Sequence, residues 1–364
     1  MTNKERKVFE IIKANPTIEQ GEIANILGIS RSTVAVHISS LQKQGYLLGR
    51  AYIINEDKYI VGIGASNIDI YGKSKIAIRT KYDHPADIAS TVGGVMHNII
   101  TNFAKLGGKC KMISSVGDDG FGQIILNDYR NNNIDVNEIL ISKENPSGVF
   151  MQVQNDDNDM YLALCDQNAL KDITPEYLKS KERIITHAKL VVMDPSLPRE
   201  AIEEILKICK DKTPVYVDPV SDNFAALMSK YVGSLCCVKP NKTELEAMSG
   251  MTINNDDDMI EACQSLLDKG LEKIYVSLSS EGLFYMDKTR CIKRQLFEVN
   301  DMVNASGAGD SLMGAILYGE TNDLPVEEIM DLGMAAGIAN IRCADTIRKD
   351  MSIDLLYNTI NKKN

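Results

Sequence analysis

The chain has 364 residues, 44% of them hydrophobic and 25% charged, and a formal net charge of −10. That balance belongs to a folded protein with room for two or three domains, and it excludes disorder, a collagen-like fibre and a low-complexity scaffold. No window holds the roughly 18 uninterrupted apolar residues of a membrane helix, and no apolar signal core opens the chain, so a cytoplasmic location is expected.

Charge is uneven along the chain. Residues 1–58 carry eight Lys and Arg against six Asp and Glu, a balance of +2, which leaves −12 on the other 306. An acidic body repels nucleic acid, so any such contact is expected from the N-terminal segment. The eight cysteines form no CxxC pair and are expected as reduced, packed thiols, Cys165 in its apolar run among them.

Residues 1–57 read as a small helical domain. Val8, Ile11 and Ile12 have helical spacing that stops at Asn15-Pro16, and residues 18–27 form a second amphipathic stretch closed by Gly28. Ser30 is an N-cap candidate for a third helix over residues 31–44, with Val34, Ile38 and Leu41 on one face. Residues 46–54 then read as two short strands around Gly49-Arg50. This order resembles the winged helix-turn-helix domains of bacterial regulators. The resemblance implies DNA contact from the third helix, with Arg31, Ser32, Thr33 and His37 as the candidates.

From residue 58 to 364 the texture changes. Short apolar runs at 59–65, 111–116, 190–193, 215–217, 235–238 and 274–278 alternate with helical stretches at 98–106, 122–131, 199–211, 256–269 and 310–319. That rhythm predicts parallel βαβ units and a sheet covered on both faces. Segments at about 72–92 and 147–164 alternate more like half-exposed strands and are expected to form a small separate sheet.

The chemistry concentrates at the ends of these runs. Asn304-Ala305-Ser306-Gly307-Ala308-Gly309-Asp310 leads directly into an apolar helix, where turned-in amides and the helix N-terminus suit a phosphoryl group beside a carboxylate. Gly93-Gly94, Lys239-Pro240-Asn241 with Glu244, Ser277 with Gly282, and Asn67-Ile68-Asp69 all fall where open α/β sheets bind ligands. No one of these is specific, because short glycine motifs recur widely.

Together and in this order, they resemble the ribokinase-like (PfkB) family of sugar and nucleoside kinases over about residues 58–355. The resemblance implies a three-layer α/β/α fold with a small β lid that can serve as a dimer interface. It implies Asp310 as general base and Gly307, Ala308 and Gly309 as an anion hole, with Asn67, Asp69, Gly93, Gly94 and Asn98 on the sugar hydroxyls. It also implies Mg²⁺ and its waters organised by Asn241 and Glu244, and an ATP site touched by Ser277, Gly282 and Ser306. Potassium-binding members commonly have Asp where this chain has Asn304, which leaves potassium activation open.

The Asn304–Asp310 run, Asp218-Pro219 and the pair Asp166 and Asn168 look most like the pseudouridine kinase branch, in which a fused winged helix is also familiar. That branch usually has Gly and Arg where Met96 and His97 stand here. The expected activity is ATP-dependent phosphorylation of a ribosyl 5′-hydroxyl, with pseudouridine first among substrates. Another sugar or nucleoside kinase, or a regulator with a kinase-like sensor, is the alternative. A homodimer is expected, and no membrane partner.

Overall fold

The computed structural model describes residues 1–49, 59–156, 159–295 and 302–361. They divide into two compact units, Met1–Lys58 and Tyr59–Asn364. No helix among the described residues is long and apolar enough to cross a membrane.

In the first unit, α1 (Asn3–Ala14), α2 (Gln20–Leu27) and α3 (Arg31–Lys43) close around Val8, Ile12, Ile23, Val34, Ile38 and Leu41. Local chemistry sets their ends. Thr2 and Glu5 form a capping box, Gly28 ends α2 at φ 62°, and Ser30 Oγ accepts from the Thr33 N–H at 3.1 Å. Glu5 is buried against α3, and the Ser40 hydroxyl, donating at 2.7 Å, does most to hold its carboxyl down at about 2. Arg31 and Ser32 are exposed, whereas Thr33 and His37 are half-buried. Residues 50–54 of the expected hairpin lie outside the described residues.

The strands of the second unit are, in chain order, β1 (Ile60–Ile63), β2 (Asn67–Ser74), β3 (Ala86–Gly93), β4 (Cys110–Gly117), β5 (Ile139–Ser142), β6 (Gly148–Gln154), β7 (Met160–Asp166), β8 (Val191–Met193), β9 (Val215–Val217), β10 (Cys237–Val238), β11 (Lys273–Ser277), β12 (Leu283–Asp287) and β13 (Cys291–Arg294). The main sheet has the order β13-β12-β11-β10-β9-β8-β1-β4-β5, and β3-β2-β6-β7 form a small second sheet. On β1, Val61 and Ile63 enter one buried layer and Ile60 the other, as a sheet covered on both faces requires.

The parallel pairing expected of the βαβ units holds from β1 and β4 through β8, β9, β10 and β11, and ends at one edge. There β11, β12 and β13 pair antiparallel. Only residues 278–282 separate β11 from β12, too few for the helical crossover that a parallel partner demands.

The small sheet begins earlier than expected, at Asn67, and runs on to Asp166, while residues 75–85 fall between strands. It is one layer thick along most of its length. All of β7 is exposed, with Leu164 at 61%, and Ile88 on β3 reaches 74%. Cys165 therefore departs from the packed-thiol expectation and is exposed, because no layer covers its strand. Cys291, on the edge strand β13, is exposed for the same reason.

Two helices carry the later argument: α4 (Val95–Lys105) and the helix Ala308–Thr321. They share one core layer through Met96, Ile99, Phe103, Leu312 and Met313. Gly314 permits that approach, since a Cβ there would lie 2.8 Å from Asn102 Cβ and 3.0 Å from the Ile99 carbonyl. Gly314→Ala should force the helices apart at a cost of about 1–3 kcal/mol in urea unfolding, despite the better helix propensity of alanine. Unchanged stability would mean that the neighbours give way freely.

Candidate active site

The left-handed turn at Gly307 (φ 76°) starts the Ala308–Thr321 helix, and a Cβ there would collide with the Thr346 carbonyl. The turn delivers Asp310 to the first helical turn. Asp310 Oδ2 accepts from Asn98 Nδ2 at 2.8 Å, a contact that joins residues 212 positions apart. Burial, reinforced by Asp218, pushes the Asp310 carboxyl up to about 7, against the lowering influence of Asn98 and Lys239. A carboxyl poised there exchanges protons readily at neutral pH.

Asp69 projects from β2 beside it. Asn67 Nδ2 donates to Asp69 Oδ1 at 2.5 Å, and the Tyr71 hydroxyl donates to Asp69 Oδ2 at 3.3 Å. Burial pushes Asp69 up to about 6, with Tyr71 opposing. The buried Asn67 Oδ1 has no hydrogen-bond partner among the described residues, so an acceptor is held ready for a donor such as a hydroxyl. The two glycines make this possible. A Cβ on Gly93 would overlap the Asp69 carboxylate, and Gly94, at φ 97°, would bring one within 2.7 Å of Asn67 Oδ1.

Sequence reasoning singled out the Lys239 and Asp218 motifs but gave these two side chains no role. Lys239 Nζ pairs with Asp218 Oδ2 at 2.9 Å, both buried, and would stand 3.4 Å from a Cβ on Gly309. A cation thus lies beside the turn that opens the helix. Burial pulls the Lys239 ammonium down, but Asp218, Glu244 and Asp310 outweigh it and hold the group above its usual value. Tyr71 and Asp128 were also missed, and His97 was noted beside the glycine pair without its partner. Lys239 with Asp218 and His97 with Asp128 act across elements, which spacing along one strand or helix does not reveal, whereas Tyr71 meets Asp69 two residues away on β2.

Asn241 and Glu244 close a capping box: the Glu244 N–H donates to Asn241 Oδ1 at 2.9 Å and the Asn241 N–H to Glu244 Oε2 at 2.8 Å. Burial raises the Glu244 carboxyl, with the Asn241 amide opposing. Asn241 also bridges to Ser277. From there a cleft of about 470 Å³ runs along Thr243, Asn255, Ser277 and Ser279. Gly282, buried at φ 105°, turns the chain back into β12 below it. Ser306 is exposed, and its N–H donates to Asn304 Oδ1 at 3.0 Å while Asn304 Nδ2 donates to the Ala344 carbonyl at 2.9 Å. Asp166 and Asn168 are exposed at the end of β7, tied to each other by the Asn168 N–H, and border a separate cleft with Ser196 and Pro198.

Residues 57–352 match the family described as pfkB family carbohydrate kinase. The chain belongs to that family. It is therefore a sugar or nucleoside kinase, a phosphotransferase with an alcohol acceptor. Residues 1–47 match the winged helix-turn-helix DNA-binding family. The chain is similar to the uncharacterized sugar kinase YeiI of Escherichia coli strain K12, at 32% identity over 318 residues, covering 87% of this chain and 88% of that protein. It is similar to pseudouridine kinase of the same organism, at 28% over 300 residues, covering 82% and 96%. The fold matches Arabidopsis thaliana ribokinase complexed with ribose and ATP, with a TM-score of 0.74 at 20% identity, covering 82% and 98%.

The buried pair offers a direct check. Lys239→Met strands Asp218 in the interior and should cost about 3–5 kcal/mol of stability in urea unfolding. A loss under 1 kcal/mol would mean that Asp218 reaches solvent.

Proposed function

We propose that this kinase transfers the γ-phosphoryl group of ATP to the 5′-hydroxyl of a ribosyl nucleoside, with pseudouridine as the preferred acceptor. The observation that carries the reading is that Asp69, with its unpartnered neighbour Asn67 Oδ1, lies within electrostatic range of Asp310 at a helix N-terminus. Asp69, Asn67 and Asn98 bind the ribose hydroxyls, and Gly93 and Gly94 let the first two approach. Asp310 takes the proton of the attacking hydroxyl. The hydroxyl oxygen bonds to the γ-phosphorus while the bond to the β-phosphate oxygen breaks, releasing ADP. The amides of Gly307, Ala308 and Gly309, with the Lys239 ammonium, meet the charge on the transferring oxygens.

ATP lies along the Ser277 cleft in this reading, with Ser306 and Gly282 at its edges. Glu244 and Asn241 offer hard oxygens suited to Mg²⁺ through its waters, and the ion would neutralise phosphate charge when bound. A solved Escherichia coli structure of this fold holds ATP and Mg²⁺ (TM-score 0.73, 16% identity), in keeping with that assignment. The Asn304 amide already donates to the Ala344 carbonyl, so this loop is closed by an N–H and the reading includes no potassium ion. This reading assigns Asp166 and Asn168, at the end of β7, to the base beyond the ribose. Support for pseudouridine comes from the 28% relative and from the branch-like Asn304–Asp310 run.

An acceptor panel scored by ADP release tests the reading, with pseudouridine expected to give the highest kcat/KM and equal turnover of free ribose sinking the nucleoside preference. Asp310→Asn should lower kcat by about 10²–10⁴ while sparing acceptor binding. The same base makes kcat rise with pH through about 7, because the carboxyl must be ionised to accept a proton. A flat profile between pH 6 and 8 would remove Asp310 from that role.

We further propose that the protein is a homodimer joined through the bare lid sheet around Ile88 and Leu164, and that its winged helices bind DNA as a pair. Arg31→Ala should weaken binding to DNA from upstream of its own coding region by about tenfold at low salt. No binding by the intact protein in a fluorescence anisotropy titration would leave the N-terminal unit as a contact module.

A further inference from the structure

The amide that touches Asp310 is itself held from behind. Asn98 Oδ1 meets His97 Nδ1 at 3.1 Å, and His97 Nε2 meets Asp128 Oδ2 at 2.8 Å on α5 (Gly120–Asn131). His97 is 1% exposed, and its ring lies 4.9 Å from that of Tyr129. Neighbouring residues on a helix normally point apart, so this contact between side chains 97 and 98 is a specific arrangement rather than a by-product of helical spacing.

An amide has a donor end and an acceptor end. A carboxylate at Asp310 only accepts, so the Asn98 NH₂ must face it and the oxygen must face away. Turned over, the amide would set oxygen against oxygen. A proton on His97 Nδ1 would forbid that turn by occupying the acceptor end. Asp128 also accepts, so the ring satisfies both neighbours only when each nitrogen carries a proton. Asp128 fits this account: burial raises its carboxyl, yet the His97 hydrogen bond leads the influences that bring it below its usual value.

We propose that His97 and Asp128 are positioning residues that fix the orientation of Asn98 and, through it, the direction and proton affinity of Asp310. The inference rests on the reading of Asp310 as base. Asp310 faces Asp218 and Asp69, which raise its carboxyl, and Lys239 and Asn98, which lower it. His97 faces Asp128, Asn98 and the Tyr129 ring, with Asp69 near enough to feel its charge. Releasing Asn98 removes the leading influence that holds Asp310 down, ahead of Lys239.

The test compares His97→Met, which fills the space without a donor, with His97→Arg, which returns a cationic donor. His97→Met should lower kcat by about tenfold with KM for ATP unchanged. It should also move the acid limb of the kcat–pH profile upward by about half a unit or more. His97→Arg should recover kcat to within about twofold of wild type. A folded His97→Met enzyme with wild-type kcat and acid limb overturns the proposal. Nitrogen-15 NMR of the wild-type histidine rings provides a readout independent of turnover. Both nitrogens of His97 should carry protons, and an unprotonated Nδ1 overturns the tether whether or not the enzyme turns over. Absence of ADP release by wild type with every acceptor would instead sink the functional reading.

Discussion

Everything at this site depends on how closely two helices pass. Asn98 begins in the first third of the chain and Asp310 near its end, and they meet because α4 and the Ala308–Thr321 helix touch where Gly314 has no side chain. Helix separation is normally set by the side chains between the axes. Here the absence of one side chain places a donor 2.8 Å from a carboxylate, a tolerance of a few tenths of an ångström. The shared core of Met96, Phe103 and Met313 then keeps that separation fixed.

The electrostatics follow from crowding. Asp218, Asp310 and Glu244 lie within range of one buried ammonium, Lys239, and Asp69 lies within range of Asp310. One lysine does not neutralise that many carboxyls in a poorly hydrated space, so some of them rise toward neutral pH. The direct ion pair belongs to Asp218. Asp310 receives only the remote influence of Lys239 and a neutral amide, and its carboxyl climbs highest of those with a stated value, to about 7. Burial leads in raising both Asp310 and Asp69.

Much of this was legible in the sequence, for reasons of periodicity. Apolar runs of three to seven residues alternating with helical stretches betrayed the covered sheet, and glycine-rich joints at their ends marked the binding edge. The strands β12 and β13 were not among the apolar runs read from the sequence, and only the short connection after Ser277 argues for their antiparallel pairing. Gly93 and Gly94 were read as residues that face a ligand. In the structure their bareness makes room for Asp69 and Asn67, so the glycines were visible and the reason was not. His97 and Asp128 lie 31 residues apart on different helices, and nothing in either local sequence pairs them. Cys165 went astray because an apolar run was taken as buried, whereas its sheet has no second layer.

The small sheet has one further property. Its strands β2 and β3 are joined to the body at their roots, where Asn67 pairs with Gly93, while their far ends reach Ser74 and Ala86. Asn67 and Asp69 sit within three residues of that root. A lever moves least at its fulcrum, and the groups proposed to grip the acceptor are placed there. For any tilt of this blade about that root, Ser74 travels farther than Asp69. A tilt that opened the blade would thus leave the carboxylate close to its place in register.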